Sequence, residues 1–293
     1  MSERAHLLLP LASSVIYVVG ALLVRRAADL GVGVWRTTFV SNVVSGVCFL
    51  PLLWLGGSDR PWSDAWQPGL IALLLVFGQV TGFLALARGE VTVATPVMGM
   101  KPVMVAALTP VLLGLAVPTR LWWAAGLSAA GIGFLHLAGG RRQGRMGYSV
   151  GFGLLAAAAF ATFDVLIQKW GPAWGAGRLL PLVMGLGAML SFGLIPLFRE
   201  PLWRIPTPAW QPLMGGALCI AAQGLLLITC VALFGDATAV NVVYSLRSLW
   251  IILAVWSIGH WFHSGEQMLG GKVLGGRLAG AALMTVAVVL AVI

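Results

Sequence analysis

The sequence predicts an all-α integral membrane protein with ten transmembrane helices in two inverted five-helix repeats. Three observations carry that expectation. Hydrophobic residues make up 59% of the 293 residues and charged residues only 9%, against roughly 25% charged in an ordinary soluble domain. Ten apolar runs approach the ~20 residues that cross a hydrocarbon core. One stretch also occurs twice. Gly89-Glu90-Val91-Thr92 leads on to Lys101, and Gly235-Asp236-Ala237-Thr238 leads on to Arg247, the cation following twelve residues after the glycine in both copies.

The composition excludes several classes. So few charges cannot cover a soluble fold of this length, so the excess apolar surface faces lipid. The formal net charge of +9 would point to nucleic acid in a soluble chain. Here the cations flank apolar runs, which reads as anchoring at membrane ends, and no nucleic-acid partner is expected. Cys48, Cys219 and Cys230 lie inside apolar runs without disulfide or metal spacing; they read as small packing residues. The first run, Leu7 to Val24, lacks a small-residue cleavage site before Arg25-Arg26 and is expected as a retained helix.

Turn and charge signals set the helices in order. The first is expected at about 6–24, before Arg25-Arg26 and Asp29-Leu30-Gly31, and the second at about 34–55, before Gly56-Gly57-Ser58-Asp59. A loop with Trp62 and Trp66 leads to the third at about 68–87, and the fourth, about 91–115, precedes Pro118. The fifth, about 121–138, closes on Gly139-Gly140, and the sixth, about 148–170, on Gly171-Pro172. The seventh is expected at about 178–198, the eighth at about 210–234, the ninth at about 237–259 and the tenth at about 273–293. Tryptophans gather at these ends: Trp35, Trp54, Trp66, Trp122, Trp123, Trp170, Trp174, Trp203, Trp210 and Trp261 form an aromatic belt. Gly126, Gly131 and Gly133 with Gly276 and Gly280 predict close helix packing.

The polar run Arg141-Arg142-Gln143-Gly144-Arg145 reads as the hinge between halves at residues 1–140 and 148–293. The repeat extends past the opening motif. Arg25 matches Lys169, Gly31-Val32-Gly33 matches Gly175-Ala176-Gly177, and Gln79 matches Gln223. Five helices per half is an odd number, so the second half crosses in the opposite sense. Inverted repeats of this kind place a substrate site near the bilayer midplane, between the halves.

Two tandem five-helix repeats of this length resemble the drug/metabolite transporter superfamily, in particular its EamA-like members. Ala94 through Pro102-Val103, Leu112-Leu113-Gly114, the Pro118-Thr119 turn and the glycines of the fifth helix carry the resemblance. Leu115 stands where many relatives have a glutamate, and Ser248 where the first copy has Pro102. The resemblance implies a multi-pass protein of the plasma (inner) membrane that moves a small organic metabolite, often outward, with both termini inside.

Lys101 and Arg247 each lie ten residues past the expected helix start. At ~1.5 Å per residue that is about 15 Å, half of a ~30 Å core, and a charge there costs at least ~2.5–3.5 kcal/mol. Each should line a wet cavity, or else sit in an internal ion pair or under freed backbone carbonyls near Pro96 and Pro102. Asn241, Tyr244 and Ser248 form a polar stripe beside Arg247, and Thr95, Met98 and Lys101 follow a three-residue spacing. Such stripes suit an organic ligand with one anionic group, or interhelical hydrogen bonding. With Gln79, Gln223 and Trp250 they complete the candidate substrate-binding set. Asp164 is the one acid well inside a helix. It is a counter-ion for Lys101 or Arg247, a proton-coupling carboxylate or a ligand for a substrate amine. Glu90 and Asp236 read as helix-start residues. His260, His263 and Glu266 read as a solvated loop and His136 as a packing residue.

No phosphate loop, nucleophile–base pair or paired catalytic carboxylates occur in the sequence, so neither an enzyme nor a cofactor or metal site is expected. The expectation is a secondary transporter, exporter or exchanger, working by alternating access. It would be coupled to a proton or a counter-substrate and assembled as a monomer or homodimer. A lipid-headgroup-handling protein or a non-transporting scaffold is the alternative. Cations are denser on the odd-numbered loops, which places the central loop in the cytoplasm and both termini outside, against the resemblance.

Overall fold

The computed structural model describes residues 5–88, 97–137, 146–258 and 271–293. Among them the chain is helical, with no strand. The helices are α1 (Leu8–Asp29), α2 (Val34–Phe49), α3 (Trp66–Arg88), α4 (Lys101–Leu113), α5 (Thr119–Leu137), α6 (Met146–Trp174), α7 (Ala176–Leu190), α8 (Thr207–Phe234), α9 (Ala237–Tyr244), α10 (Arg247–Ile258) and α11 (Gly271–Val292). By length and hydropathy, six stretches among the described residues can cross a membrane: Ala5–Asp29, Val34–Leu55, Trp62–Ala85, Gly147–Trp174, Ala176–Leu197 and Thr207–Phe234. The protein is an all-α membrane protein.

Several ends differ from expectation. The first helix runs through Arg25-Arg26 to Asp29, because arginine is a good helix former and does not stop a helix by itself. Gly31, at φ 90°, makes the turn instead. The sixth helix continues past Gly171-Pro172 to Trp174. In the last turn Pro172 forfeits a single donor, which the helix tolerates. The second and seventh helices both tighten at their ends into 3-10 turns, Leu50–Leu55 and Ser191–Leu197, which contain Pro51 and Pro196. Arg36 is buried in the first turn of α2, where Nη2 donates to the Gly31 carbonyl at 2.8 Å. Gly235 closes α8 at φ 66°, and Asp236 caps α9 by accepting from the Ala239 N–H at 3.2 Å. The segments holding Gly89, Glu90 and Thr92, the hinge at 141–145, and His260, His263 and Glu266 lie outside the described residues.

Packing follows a regular scheme. α1 lies along α8, α3 along α6, and α5 along α11, while α2 packs on both α7 and α8 and α3 reaches α7. Small residues allow the close crossings. A Cβ on Gly131 would lie 2.6 Å from Met284 Cγ and 2.9 Å from the Gly280 carbonyl, so the α5–α11 contact needs a glycine there. Gly126 and Gly133 have open space instead, because they point away from the α11 seam. Outward faces carry exposed apolar side chains such as Val111, Met189 and Leu218. Trp54 and Trp203, 90% and 84% exposed, stand at helix ends as the belt requires. Trp174 does not join them. It is buried, and its Nε1 donates to Gln67 Oε1 at 2.8 Å, since an indole N–H in a buried site takes a partner. The cysteines are free; Cys230 is buried and its thiol donates to the His6 carbonyl at 3.4 Å.

Candidate functional site

The repeated motif does not produce an unbroken helix in either copy. Residues 97–98 are helical, Gly99-Met100 form a turn, and Lys101 begins α4; α9 ends at Tyr244, Ser245-Leu246 form a turn, and Arg247 begins α10. Both cations, expected in mid-helix, are therefore the first residues of new helical segments. Pro102 follows Lys101 in the first turn, where its missing N–H costs nothing. In the second copy hydroxyl bonding takes the place of proline. Ser245 Oγ donates to the Val242 carbonyl at 2.6 Å, and Ser128 Oγ donates to Ser245 Oγ at 2.6 Å. The backbone tightens with them: the Leu246 N–H donates to Val243 O at 3.2 Å. Such local side-chain bonds compete with the helical ladder. The two segment starts also place the partial positive ends of two helices beside the cavity that Lys101 and Arg247 line.

Both cations face one central cavity of about 440 Å³. Of the sequence-derived candidates, Met98, Lys101, Asp164, Gln79, Gln223, Tyr244, Arg247 and Ser248 line it. Asn241 and Trp250 lie outside its wall. Asn241 is buried behind Asp164, and the Trp250 Nε1 donates to Ser14 Oγ at 3.1 Å between α10 and α1. Thr95 lies outside the described residues. Most of the remaining wall is apolar and aromatic, with Phe49, Phe83, Phe160 and Phe163 prominent.

The two cations are handled differently. Lys101 Nζ stands 2.7 Å from Asp164 Oδ2 and 5.9 Å from the centre of the Phe160 ring. Asp164 is 3% exposed, and Asn241 Nδ2 donates to the same oxygen at 2.6 Å. Asn241 is fixed in turn by donating to the Ala237 carbonyl at 2.8 Å. Gln168, one turn along α6 from Asp164, holds the start of α9. It donates to the Gly235 carbonyl and accepts from the Ala237 N–H. Of the sequence readings of Asp164, the geometry is that of a counter-ion for Lys101. Arg247 has no carboxylate within ion-pair distance among the described residues. Its guanidinium carbon lies 4.4 Å from the Tyr244 ring centre and 5.0 Å from that of Tyr17, a cation–π arrangement at the cavity wall. Tyr244 is held by its hydroxyl, which donates to Gln223 Oε1 at 2.7 Å, and Ser13 Oγ donates to the Gln223 carbonyl at 2.8 Å.

The opposite wall is uncharged. Asn42 and Gln79 exchange amide hydrogen bonds at 2.8 and 2.9 Å, and the Asn42 amide also donates to Ser191 Oγ at 2.7 Å. Tyr17 and Asn42 were not among the sequence candidates. Each had a signal in its rarity: the chain has three tyrosines and two asparagines, and Tyr17 and Asn42 both fall inside apolar runs. No group of three His, Cys, Asp or Glu side chains that could hold a metal occurs among the described residues.

The fold is an all-α membrane bundle around one cavity that carries both charged and apolar side chains. Residues 4–137, a little under half of the chain, match the family model of the EamA-like transporter family. A solved structure described as "Crystal structure of protein" superposes at a TM-score of 0.74 with 16% identity, covering 99% of this chain and 98% of the other. That likeness shows that the two chains share a fold over their whole length. A search of curated proteins finds no match.

Proposed function

We propose that the chain is a secondary transporter of a small organic anion, working by alternating access of the central cavity. The observation that supports this most directly is Arg247. It is a membrane-embedded guanidinium that lies near two tyrosine rings and lines a cavity, with no acid within ion-pair distance among the described residues. Such a group requires a compensating anion or water, and its planar fork is matched to a carboxylate or phosphate. The apolar and aromatic lining supports an organic body on the anion.

The packing scheme supports two inverted five-helix halves, divided near residues 139–147. Exchanging first with sixth, third with eighth and fifth with tenth helices turns the α1–α8 contact into the α3–α6 contact and leaves α5–α11 in place. The paired helix breaks at Lys101 and Arg247 obey the same exchange. Rocking of one half against the other about this cavity is the corresponding transport step. With no nucleotide motif in the chain, the energy comes from an ion gradient or from exchange.

Counterflow in proteoliposomes tests the reading. Vesicles loaded with small aliphatic and aromatic carboxylates should accumulate the labelled form of at least one, and Arg247→Met in folded protein should abolish that uptake. Uptake of none of them, or uptake indifferent to Arg247→Met, overturns the reading.

A further inference from the structure

We propose that Asp164 sets the charge of the substrate at minus one, so that its carboxylate acts as a valence filter rather than a contact for the substrate. The inference rests on the anion-transport reading and adds the substrate's charge and the residue that determines it. Among the described residues lining the cavity, three side chains carry full charge: Lys101, Asp164 and Arg247. Two are positive and one is negative, so the site holds one uncompensated positive charge.

Asp164 is built in as a permanent partner of Lys101. Its Oδ2 is 2.7 Å from Lys101 Nζ and 2.6 Å from Asn241 Nδ2, and the residue is 3% exposed. Asn241 reaches it from the capped, Gln168-clamped start of α9. Lys101 therefore offers no free charge to an incoming anion, and Arg247 offers one. A monovalent anion on Arg247 brings the enclosed charge to zero. A neutral ligand leaves Arg247 without a counter-ion. A divalent ligand places a second negative charge in the same cavity as Asp164. Buried charge is tolerated where it is paired and is costly where it is in excess, on either side of neutrality.

The charge balance predicts a graded series. Asp164→Asn raises the fixed charge by one and should move preference to divalent anions. Lys101→Met lowers it by one and should move preference to neutral ligands, although Arg247 is untouched. The double variant Lys101→Met/Asp164→Asn restores the original balance and should return preference to monovalent anions. Hexanoate, adipate and hexanamide are suitable probes, since they differ little beyond charge. Their binding to purified protein in detergent is measured by calorimetry, with monodispersity as the folding control. Parent protein should favour hexanoate. In Asp164→Asn the adipate-to-hexanoate affinity ratio should rise by about tenfold or more, the scale expected for one excess charge in a partly shielded site. If Asp164→Asn does not fold, Lys101→Met and the double variant decide the matter through the hexanoate-to-hexanamide ratio. Ratios that stay constant across the series, while hexanoate binding still requires Arg247, overturn the valence filter and leave the anion reading standing. Absence of carboxylate binding to the parent protein overturns both.

Discussion

Arg247 shows how a single intramembrane residue acquires its chemistry from its neighbours. Tyr17 and Tyr244 bracket the guanidinium at 5.0 and 4.4 Å. An ammonium keeps the charge but not the planar fork. Arg247→Lys should therefore weaken the apparent affinity for a transported anion by about tenfold, within the range of a desolvated cation–π contact; the KM for counterflow measures it. Tyr244→Phe keeps the ring and removes the donor to Gln223 Oε1. Gln223 Oε1 then keeps only the longer bond from Ser13 Oγ at 3.4 Å, and the lost hydrogen bond should cost about 0.5–1.5 kcal/mol of stability, read as a lower unfolding temperature in detergent. Much of this site was legible in the sequence because polarity is scarce in the apolar runs. Lys101, Arg247, Asp164, Gln79 and Gln223 could be picked out on that ground alone. Tyr17 and Asn42 were not legible from the repeat, since their repeat positions hold Ala161 and Leu186. Asn241 and Trp250 were placed on the wall because helical spacing gives a face but not what stands in front of it. Asp164 shields the one, and Ser14 on α1 takes the other.

At the scale of elements, hydropathy runs and turn residues located the helices well, since a lipid-facing helix must be apolar along its length. Breaks inside an apolar run were not legible. The interruption at Ser245-Leu246 depends on the hydroxyl of Ser128, more than a hundred residues away, and nothing local distinguishes that serine from one that merely packs. Small-residue patterns were legible as a class but not residue by residue. Gly131 meets α11 at a distance where a Cβ does not fit, whereas Gly126 and Gly133 face open space. Gly131→Ala should thus cost about 1–3 kcal/mol through overpacking against Met284 and the Gly280 carbonyl. Gly126→Ala and Gly133→Ala should stay within about 0.5 kcal/mol of the parent. Thermal unfolding of the three variants side by side checks the contrast; equal losses in all three would show that helix geometry rather than the α5–α11 contact governs them.

At the scale of the whole molecule, two ion pairs tie the expected halves together at opposite ends of the bundle. Arg36 is the third residue of α2, and its Nη1 lies 3.9 Å from Glu200 Oε2 in the segment after the seventh helix. Arg178 is the third residue of α7 and pairs with Asp59 in the segment after the second. The stretch Val34–Leu55 runs from one pair to the other, so they lie at its two ends. The Asp59 end is the more heavily fastened. The Ser58 N–H donates to the Trp174 carbonyl at 3.0 Å, Arg60 Nε donates to the Ala173 carbonyl at 3.0 Å, and Gly57 packs directly on Gly175. Ion pairs as exposed as Arg178–Asp59 add at most about 1 kcal/mol, which suits contacts that open and reform in each cycle. Alternating access requires the two ends to open in turn, and a covalent link at one end should stop it. In a background with Cys48, Cys219 and Cys230 replaced by alanine, Asp59→Cys/Arg178→Cys should lose counterflow on oxidation and regain it on reduction. Binding of the anion, measured on the same samples, should survive in the oxidised protein because the cavity lies away from the link. Full transport with the bridge closed would mean that this end never opens and that the halves do not rock against one another there.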